Sequence, residues 1–321
     1  MRIVLCGNTF VDTADALRKA LPLDADDEVI VWPGDNLDTL PAEIDVLIPK
    51  MFRIDEHLMA ASKCQLVQQW GVGLEGVDID AAEKLGVSVA YVPASGGNAD
   101  SVAEHAVLMI LALLRQLASA QHNTRTGVLG APSGRMLAGR TVCLFGLGAI
   151  ALPIATRLHA FGVKLIGLSR EADADKVAKY QLHKLFTLDQ KEQCLRQTDI
   201  LVLCARLTDE TRDFIGAKEI ACLPNQALLI NVARGGLVNE QAIVEGLRTG
   251  RLGGAGLDVY WQEPLDTAHP LLQMDNVIAT PHIAGITTDS LAEIAQGVAE
   301  NINRLRAGMP LLNTVTQPRN H

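Results

Sequence analysis

Features that define several protein classes are scarce or missing in this 321-residue chain. Only 4% of the residues are aromatic, so leucine, valine, isoleucine and alanine must fill any hydrophobic core. The net charge is −9 and the sequence contains no cluster of basic residues, which argues against binding nucleic acid through its phosphates. The six cysteines form no CxxC pair and no zinc-like spacing, so we predict no metal site and buried, reduced thiols in a reducing compartment.

Long apolar runs and targeting segments are missing too. The apolar stretch His105–Leu114 lies between two charged residues and is too short to span a bilayer. The N-terminal MRIVLCGN is a candidate strand that ends at a glycine, and it is too short for a signal-peptide core. No internal repeat or low-complexity linker occurs. The sequence therefore predicts a cytoplasmic protein that binds no membrane.

The bulk composition is that of a globular protein. With 48% hydrophobic and 20% charged residues, the chain has apolar material for about two domains. In the first hundred residues, short apolar runs bounded by glycine or proline alternate with helical patterns such as Thr13–Ala20 and Asp55–Ser62, which indicates βαβ units and a parallel sheet. The candidate strands are Arg2–Cys6, Glu28–Trp32, Asp45–Pro49, Leu66–Trp70 and Ser88–Tyr91.

A long helix is predicted over Asn98–Ala118, with Asn98 or Ser101 as its cap and Glu104 completing a capping box. It is apolar on almost every face, which indicates burial in a core or against a partner chain. Six further strands follow it and suit a doubly wound domain. They are Thr141–Phe145, Lys164–Leu168, Ile200–Leu203, Ala227–Val232, Gly254–Val259 and Val277–Thr280.

A final amphipathic helix, Ser290–Ala307, ends at a Gly-Met-Pro segment, and we expect it to rejoin the first domain. The predicted fold is therefore α/β, with two Rossmann/flavodoxin-like, doubly wound parallel-sheet domains. A dinucleotide-binding domain, residues 99–286, is inserted into a discontinuous substrate domain formed by residues 1–98 and 287–321.

The segment FGLGAIA places Gly146, Gly148 and Ala151 in the pattern G-x-G-x-x-G/A between a strand and a helix. The first glycine makes a tight turn, the second lets the backbone approach a pyrophosphate, and the third small residue lets helix and strand pack closely. The N–H groups around Ala149 and Ile150 would then meet the phosphate charge. A purely structural strand–helix turn is the alternative.

The next strand ends at Ser169 and Arg170, where NAD enzymes place a carboxylate to hold the ribose hydroxyls. A guanidinium at that point favours a 2′-phosphate, so we predict a preference for NADP(H) over NAD(H). In the alternative, Arg170 stacks on adenine or is solvated, and Glu171 holds the ribose.

Three short segments later in the chain each contribute one candidate catalytic residue: Arg234 in NVARGG, Glu263 in LDVYWQEP and His282 in TPHIAG. Arg234 follows a buried strand, where its planar fork would grip a carboxylate and polarise the neighbouring carbonyl. His282 would give a proton to the developing alkoxide, and Glu263 would fix the tautomer of that histidine. Asp258 would accept a hydrogen bond from a nicotinamide carboxamide, or would instead make an Asx turn or cap a helix.

The first domain is expected to supply further substrate contacts. Main-chain N–H groups at Val72 and Gly73 form a candidate anion nest. Lys50 follows a strand and would face the same cleft, although a solvated loop lysine fits equally well. Trp70 and Trp261 are assigned to packing in preference to substrate contact.

These motifs together resemble the D-isomer-specific 2-hydroxyacid dehydrogenases, and the resemblance covers nearly the whole chain. The similar segments occur in the order found in that family. They are WGVGLEGVDIDAAEKLGV, NADSVAEHAVLMILALLR, GRTVCLFGLGAIA, LVLCARLTDETRDFI, LLINVARGGLVNEQAIVEGLRTGRLGGAGLDVYWQEP and NVIATPHIAG.

The resemblance implies that Arg234, Glu263 and His282 carry catalysis, with substrate contacts at Val72 and Gly73. It also implies a homodimer. The cofactor contacts that it implies are Val102, Ala149, Ile150, Cys204, Ala205, Thr211, Val232, Asp258 and Ala284.

Some positions depart from the pattern of the family. Arg206 stands where proline is usual and adds a charge near the adenosine, and Glu75-Gly76 replaces the more usual Asp-Asn. The stretch Thr124–Gly139 lacks the usual tryptophan. We also expect no C-terminal regulatory extension of the kind found in long phosphoglycerate dehydrogenases.

The predicted function is NADP(H)-dependent reduction of a small 2-oxo acid, of the glyoxylate or hydroxypyruvate type, to the D-2-hydroxy acid. An NAD-dependent phosphoglycerate or D-lactate-type dehydrogenase is the alternative. A nucleotide-sensing corepressor or scaffold without catalysis is a remote one.

Overall fold

The structure is a computed structural model that describes residues 1–22, 24 and 26–316. The chain divides into two compact units. The first unit comprises Met1–Asn98 together with the chain from Thr287 onward, and the second comprises Ala99–Ile286.

The described residues form twelve strands and eleven α-helices. The strands are β1 (Arg2–Cys6), β2 (Glu28–Trp32), β3 (Val46–Ile48), β4 (Leu66–Gln68), β5 (Ser88–Ala90), β6 (Thr141–Phe145), β7 (Lys164–Ser169), β8 (Lys184–Thr187), β9 (Ile200–Leu203), β10 (Ala227–Asn231), β11 (Leu252–Leu257) and β12 (Val277–Ala279). The helices are α1 (Thr13–Ala20), α2 (Glu56–Ser62), α3 (Ile79–Leu85), α4 (Gly96–Leu114), α5 (Leu117–Arg125), α6 (Ala151–His159), α7 (Ala174–Lys179), α8 (Lys191–Leu195), α9 (Ala217–Cys222), α10 (Glu240–Arg248) and α11 (Thr288–Arg306).

The first unit contains a five-stranded parallel sheet in the order β2-β1-β3-β4-β5. Its two faces are covered by separate apolar clusters. Leu58 and Ala81, from α2 and α3, lie in one cluster. Leu17 and Val298, from α1 and α11, lie in the other. Strands buried on both faces must be apolar throughout, which explains the continuous Val/Ile/Leu runs in the sequence.

The second unit contains a seven-stranded parallel sheet in the order β12-β11-β10-β9-β6-β7-β8. Helices α4 and α6 contribute to the apolar cluster that contains Ile110 and Ile154. Helices α8, α9 and α10 contribute to the cluster that contains Ile220 and Ile243. The strand order reverses between β6 and β9, so a crevice is expected there at the carboxyl ends of the strands. The predicted doubly wound, parallel-sheet fold class is confirmed for both units.

The sequence analysis missed strand β8, at the edge of this sheet. Only Phe186 is fully buried among its four residues, so the strand lacks the continuous apolar run of a strand that is buried on both faces. The strand pairs with β7 from Ile166–Lys184 to Ser169–Thr187.

The predicted single helix over Asn98–Ala118 was wrong at both ends. It begins at Gly96, where the carboxylate of Glu293 accepts a bond of 2.5 Å from the N–H of Gly97, so neither Asn98 nor Ser101 is the cap. It ends at Leu114, because Gln116 adopts a left-handed conformation (φ 48°) and α5 starts afresh at the next residue. The Leu114 carbonyl accepts a hydrogen bond from the Arg135 N–H, a long-range partner that a local pattern cannot reveal.

Helix α4 is the one helix of the described residues that is long and apolar enough to cross a membrane, with a mean hydropathy of 1.2. However, 56% of its apolar segment is buried inside the protein. The buried core helix of a globular domain is equally long and apolar, so these two properties do not identify a membrane span. The chain passes from the first unit to the second within this helix, at Asn98–Ala99.

The return to the first unit occurs at Ile286–Thr287. The Thr287 hydroxyl accepts a bond from the Ser290 N–H and so caps α11. Farther along α11, the buried amide of Asn301 donates to Gln68 of β4 at 2.7 Å and accepts from the Leu312 N–H at 2.8 Å. Buried amides with all partners present fix this helix in one register on the sheet.

Candidate active site

Arg234 lies just beyond the carboxyl end of β10 in a turn that the Asn231 side chain holds. The amide oxygen of Asn231 accepts from the Ala233 N–H at 3.1 Å, and its NH₂ group donates to the Arg234 carbonyl at 2.9 Å. This short polar residue can bond its own backbone two and three residues on, which explains why the apolar strand ends in asparagine. The turn places the arginine at the edge where parallel sheets bind ligands.

The glycine after Arg234 has a steric reason. A Cβ atom added at Gly235 would lie 2.1 Å from the Tyr260 carbonyl carbon, which belongs to the loop after β11. Only glycine lets these two backbone segments approach so closely. The loops that carry Arg234 and Glu263 are therefore held against each other by backbone packing.

Glu263 and His282 meet directly. Oε2 of Glu263 lies 2.7 Å from Nδ1 of His282, and Oε1 accepts a bond of 3.0 Å from the Tyr260 N–H. Burial is the largest single influence on Glu263 and raises its pKa. The bond to His282, the Tyr260 N–H and the charge of Arg234 together outweigh burial and hold that pKa below its usual value. The three residues thus share one electrostatic environment.

Asp258 holds the turn that contains His282. Its Oδ1 accepts from the Thr280 hydroxyl at 2.6 Å and from the Ile283 N–H at 2.8 Å, and its Oδ2 accepts from the Ala284 N–H at 2.8 Å. Asp258 is buried, with 1% of its surface exposed. These partners lie 22 to 26 residues farther along the chain, so the Asp258 carboxylate forms neither the local Asx turn nor the helix cap of the alternative and instead ties the loop after β12 to the end of β11.

The turn after β6 fits a dinucleotide. Gly146 has φ 88°, and a Cβ atom there would lie 2.6 Å from the Cα atom of Ala205, so the tight turn requires glycine. At Gly148 a Cβ atom would meet nothing within 4 Å, so the protein itself does not require glycine there and the space beside the turn is open. An open glycine backbone at a helix N-terminus is the environment that a pyrophosphate needs.

The other predicted cofactor residues of the second unit mostly follow the carboxyl ends of neighbouring strands. Ser169 ends β7 and donates to the Glu171 carbonyl at 2.7 Å, while Arg170 beside it is exposed. Thr211 is buried, and its hydroxyl donates to the Arg206 carbonyl at 2.7 Å, which shapes the loop after β9. The remaining predicted contacts are Val102 on α4, Ala149 and Ile150 before α6, Cys204 and Ala205 after β9, Val232 after β10 and Ala284 after β12.

Lys50 lies at the carboxyl end of β3 in the first unit. Its Nζ donates to the carbonyls of Thr9 at 2.6 Å and Gly7 at 3.0 Å, and only 6% of the residue is exposed. Burial lowers its pKa. The alternative of a solvated loop lysine was therefore wrong, and two of the three Lys50 donors already serve the loop after β1.

The loop that carries Val72 and Gly73 follows β4 and is organised by Gln69. The Gln69 amide donates to the Lys50 carbonyl at 2.9 Å and to the Gly73 carbonyl, and its oxygen accepts from the Trp70 N–H at 3.0 Å. Val72 is 44% exposed, so this loop presents backbone and an apolar side chain to solvent.

Both tryptophans pack against apolar clusters. Trp70 packs against the cluster that includes Leu17. The Trp261 ring N–H donates to the Val238 carbonyl at 2.6 Å, and the ring stacks near His269. Trp261 also bounds a cavity of about 210 Å³ beside Arg234, together with Arg212 and Gly236.

The sequence analysis missed several polar residues that support the site. They are His105, whose Nε2 lies 3.0 Å from the Thr280 hydroxyl, Thr280 itself, and Tyr180, whose hydroxyl donates to the Gly148 carbonyl at 3.0 Å. Only Thr280 carried a signal, since it stands two residues before His282. The others lie far away along the chain from the groups that they contact.

Comparison with known proteins identifies the family. The sequence pattern described as "D-isomer specific 2-hydroxyacid dehydrogenase, NAD binding domain" matches residues 107–284. This is more than half of the chain, and it includes the glycine turn, Arg234, Glu263 and His282. The chain belongs to the D-isomer-specific 2-hydroxyacid dehydrogenase family. The predicted family and the predicted class of enzyme, an NAD(P)-dependent dehydrogenase, are confirmed at that level.

Individual 2-hydroxyacid dehydrogenases support the assignment. The glyoxylate reductase of Aeropyrum pernix is 31% identical over 333 residues, covering 98% of this chain and 96% of that protein. The D-3-phosphoglycerate dehydrogenase of Archaeoglobus fulgidus is 30% identical over 91% of this chain, which spans only 55% of the length of that relative. The solved pyruvate reductase of Chlamydomonas reinhardtii is 28% identical, with a TM-score of 0.83 and 98% coverage of both chains.

Proposed function

We propose that this 2-hydroxyacid dehydrogenase is an NADP(H)-dependent reductase that converts a small 2-oxo acid, of the glyoxylate or hydroxypyruvate type, to the D-2-hydroxy acid. The observation that carries the proposal is the Glu263–His282 bond of 2.7 Å, beside a guanidinium that shares its electrostatic environment. Similarity to a glyoxylate reductase along nearly the whole chain supports the substrate class.

The histidine is the proton donor of the proposed reaction. Its Nδ1 is engaged by Glu263, so we assign the exchange of a proton with substrate to Nε2. In the reducing direction, protonated His282 gives the Nε2 proton to the carbonyl oxygen as the alkoxide develops. The Glu263 carboxylate stabilises the imidazolium and keeps the ring oriented.

Arg234 is the proposed substrate anchor. Its planar guanidinium binds the carboxylate of the 2-oxo acid and polarises the adjacent carbonyl, which combines orientation with charge stabilisation. We further propose substrate contacts from the main chain at Val72 and Gly73 and from the third Nζ donor of Lys50. The domain from 99 to 286 is the proposed dinucleotide-binding domain, and residues 1–98 and 287–321 are the proposed substrate domain.

A nicotinamide cofactor supplies the hydride when bound. Gly146, Gly148, Ala149 and Ile150 would hold the pyrophosphate, because the open turn there fits it. Arg170 is exposed at the end of β7 without a carboxylate at the tip of the strand, which favours a 2′-phosphate and hence NADP(H). The other predicted contacts of the second unit, Val102, Ser169, Cys204, Ala205, Thr211, Val232, Asp258 and Ala284, complete the proposed cofactor site.

We propose that the partner is a second copy of the chain and that the protein is located in the cytoplasm. Large apolar side chains are exposed along the segment from α4 to the start of β6, including Leu108 at 56%, Leu129 at 99% and Met136 at 76%. An apolar surface of this kind indicates a protein interface. Light scattering should give a mass of about twice 34.4 kDa. The six free thiols, four of them buried, suit a reducing compartment.

A substrate panel tests the function. Initial rates would be measured with glyoxylate, hydroxypyruvate, pyruvate and phosphohydroxypyruvate, each with NADPH and NADH, and the chirality of the product would be assigned. We expect the highest kcat/KM for glyoxylate or hydroxypyruvate with NADPH, and a D product. His282→Ala should lower kcat about 10²- to 10⁴-fold if proton transfer is its role. Near-normal turnover by that variant would remove His282 from the mechanism.

An NAD-dependent phosphoglycerate or D-lactate-type dehydrogenase is the second candidate. Similarity to a phosphoglycerate dehydrogenase and to a pyruvate reductase favours it. The same panel separates the two, because the alternative requires preference for NADH with phosphohydroxypyruvate or pyruvate. Absence of turnover with every pair would instead favour the nucleotide-sensing corepressor or scaffold.

A further inference from the structure

His105, Thr280 and Asp258 form a chain of hydrogen bonds that ends at the turn containing His282. Nε2 of His105, on α4, lies 3.0 Å from the Thr280 hydroxyl oxygen. That oxygen lies 2.6 Å from Oδ1 of Asp258. Nε2 of His105 and Oδ1 of Asp258 are 3.7 Å apart, so the hydroxyl is the shorter connection. These residues come from α4, from the end of β12 and from the end of β11.

The direction of these bonds follows from counting hydrogens. Thr280 has one hydroxyl hydrogen, and an ionised Asp258 oxygen can only accept. Two acceptors facing each other at 2.6 Å would repel, so the hydroxyl hydrogen points to Asp258. The Thr280 oxygen must then accept from His105, which requires the tautomer with hydrogen on Nε2. Every donor in the chain therefore points towards Asp258.

Asp258 acts on the backbone on both sides of the catalytic histidine. It binds the Thr280 side chain before His282 and the N–H groups of Ile283 and Ala284 after it. His282 itself has φ 56°, a left-handed conformation that a residue with a Cβ atom adopts only when its surroundings hold it there. The Asp258 carboxylate supplies three bonds to that restraint.

We propose that His105 is a positioning residue for His282, acting through Thr280 and Asp258. His105 orients the Thr280 hydroxyl, the hydroxyl orients the carboxylate, and the carboxylate holds the left-handed turn that aims Nε2 of His282 at the substrate. The inference rests on the proposed function, because its readout is the rate of proton transfer. The residues that position His282 would then include one from α4, in addition to those at the carboxyl edge of the sheet.

Two matched pairs of variants test the chain of bonds. His105→Phe keeps a ring and removes the donor, whereas His105→Gln keeps an N–H donor at similar reach. Thr280→Val is nearly isosteric and removes the hydroxyl, whereas Thr280→Ser keeps it. We expect His105→Phe and Thr280→Val to lower kcat about tenfold, since small displacements of a catalytic group have effects of this order or larger. KM for substrate should change less than twofold, and the Gln and Ser variants should restore most of the rate.

The double variant identifies coupling. If His105 acts through Thr280, adding His105→Phe to Thr280→Val should lower kcat by less than about twofold more. A fall in kcat of about a hundredfold in the double variant, the product of the two single effects, would overturn the proposal, because independent effects add in free energy. Failure of Gln and Ser to restore the rate would also overturn it. Absence of turnover in the unmodified enzyme would instead contradict the proposed function, so the two failures are distinguishable.

Discussion

Oε2 of Glu263 and Nδ1 of His282 lie 2.7 Å apart, in a pair that links the loop after β11 to the loop after β12. The other carboxylate oxygen is held by the Tyr260 N–H, so the glutamate is fixed from both sides. A histidine restrained in this way has one preferred ring orientation.

Glu263→Gln should slow turnover and leave substrate binding almost intact. An amide cannot stabilise the imidazolium as a carboxylate does, so we expect kcat to fall about 10- to 100-fold, equivalent to one charge-assisted hydrogen bond. KM for the 2-oxo acid should stay within about twofold, because Arg234 remains. Steady-state kinetics checks this, with Glu210→Gln, an exposed glutamate, as control. A KM effect without a kcat effect would contradict the assigned role.

The same pair predicts a pH dependence of stability. The pKa of Glu263 is lowered in the folded protein from an ordinary value of 4.5, so its ionised form favours folding. This contribution is fully present above about pH 4.5 and is lost as the pH falls through the lower folded-state pKa. The difference in free energy of unfolding between wild type and Glu263→Gln, measured in urea, should therefore be larger at pH 6 than at pH 3.5. A gap that widens in acid would refute the sign.

Tyr180→Phe should weaken cofactor binding without slowing chemistry. The Tyr180 hydroxyl donates to the Gly148 carbonyl, and the ring is almost fully buried. Losing one neutral hydrogen bond of about 1 kcal/mol loosens the pyrophosphate turn, so we expect KM for NADPH to rise about fivefold. Tyr91→Phe, in the first unit, is the control. A fall in kcat at unchanged cofactor KM would show that the bond supports something else.

Arg170 is predicted to select the cofactor. Arg170→Ala should lower kcat/KM with NADPH about 10- to 100-fold, the effect of one lost charge-assisted bond to a phosphate, and should leave NADH almost unaffected. Arg196→Ala, which removes a surface partner of Glu192 on α8, is the matched control. Equal losses with both cofactors would favour the alternative in which Arg170 stacks on adenine.

Gly235→Ala and Gly148→Ala should separate stability from binding. The first would place a methyl group 2.1 Å from the Tyr260 backbone, and we expect it to destabilise folding by about 1–3 kcal/mol or more. The second meets nothing within 4 Å, so thermal unfolding of the free enzyme should be unchanged while KM for the cofactor rises. A stable Gly235→Ala variant with normal kinetics would show that the loops after β10 and β11 can move apart.

Most strands of this protein could be predicted because buried parallel strands are continuous apolar runs that end at polar residues. The run ALLIN ends at Asn231 and leads to Arg234, so strand and site were predicted together. The edge strand Lys184–Thr187 has no such run and was missed. Arg234, Glu263 and His282 could be named because each follows a strand of the seven-stranded sheet, and parallel strands bring their carboxyl ends to one edge.

Contacts between distant parts of the chain could not be predicted. No residue type near Leu114 marks the end of its helix, because the left-handed position is occupied by Gln116 and not by glycine, and the N–H that donates to the Leu114 carbonyl belongs to Arg135. His105 lies 175 residues before Thr280, and no spacing rule connects them. Lys50 was ambiguous because burial depends on the carbonyls of Gly7 and Thr9, which the fold brings to it.

The order of strands in the second unit has an evolutionary consequence. Arg234, Glu263 and His282 follow β10, β11 and β12, at one end of the seven-stranded sheet, whereas Arg170 follows β7 near the opposite end. Substitutions that change nucleotide preference and substitutions that change the acid/base chemistry thus fall on loops separated by the strands between them. Distant sites of this kind add independently, so a lineage with this fold could exchange one property while the other stays under selection.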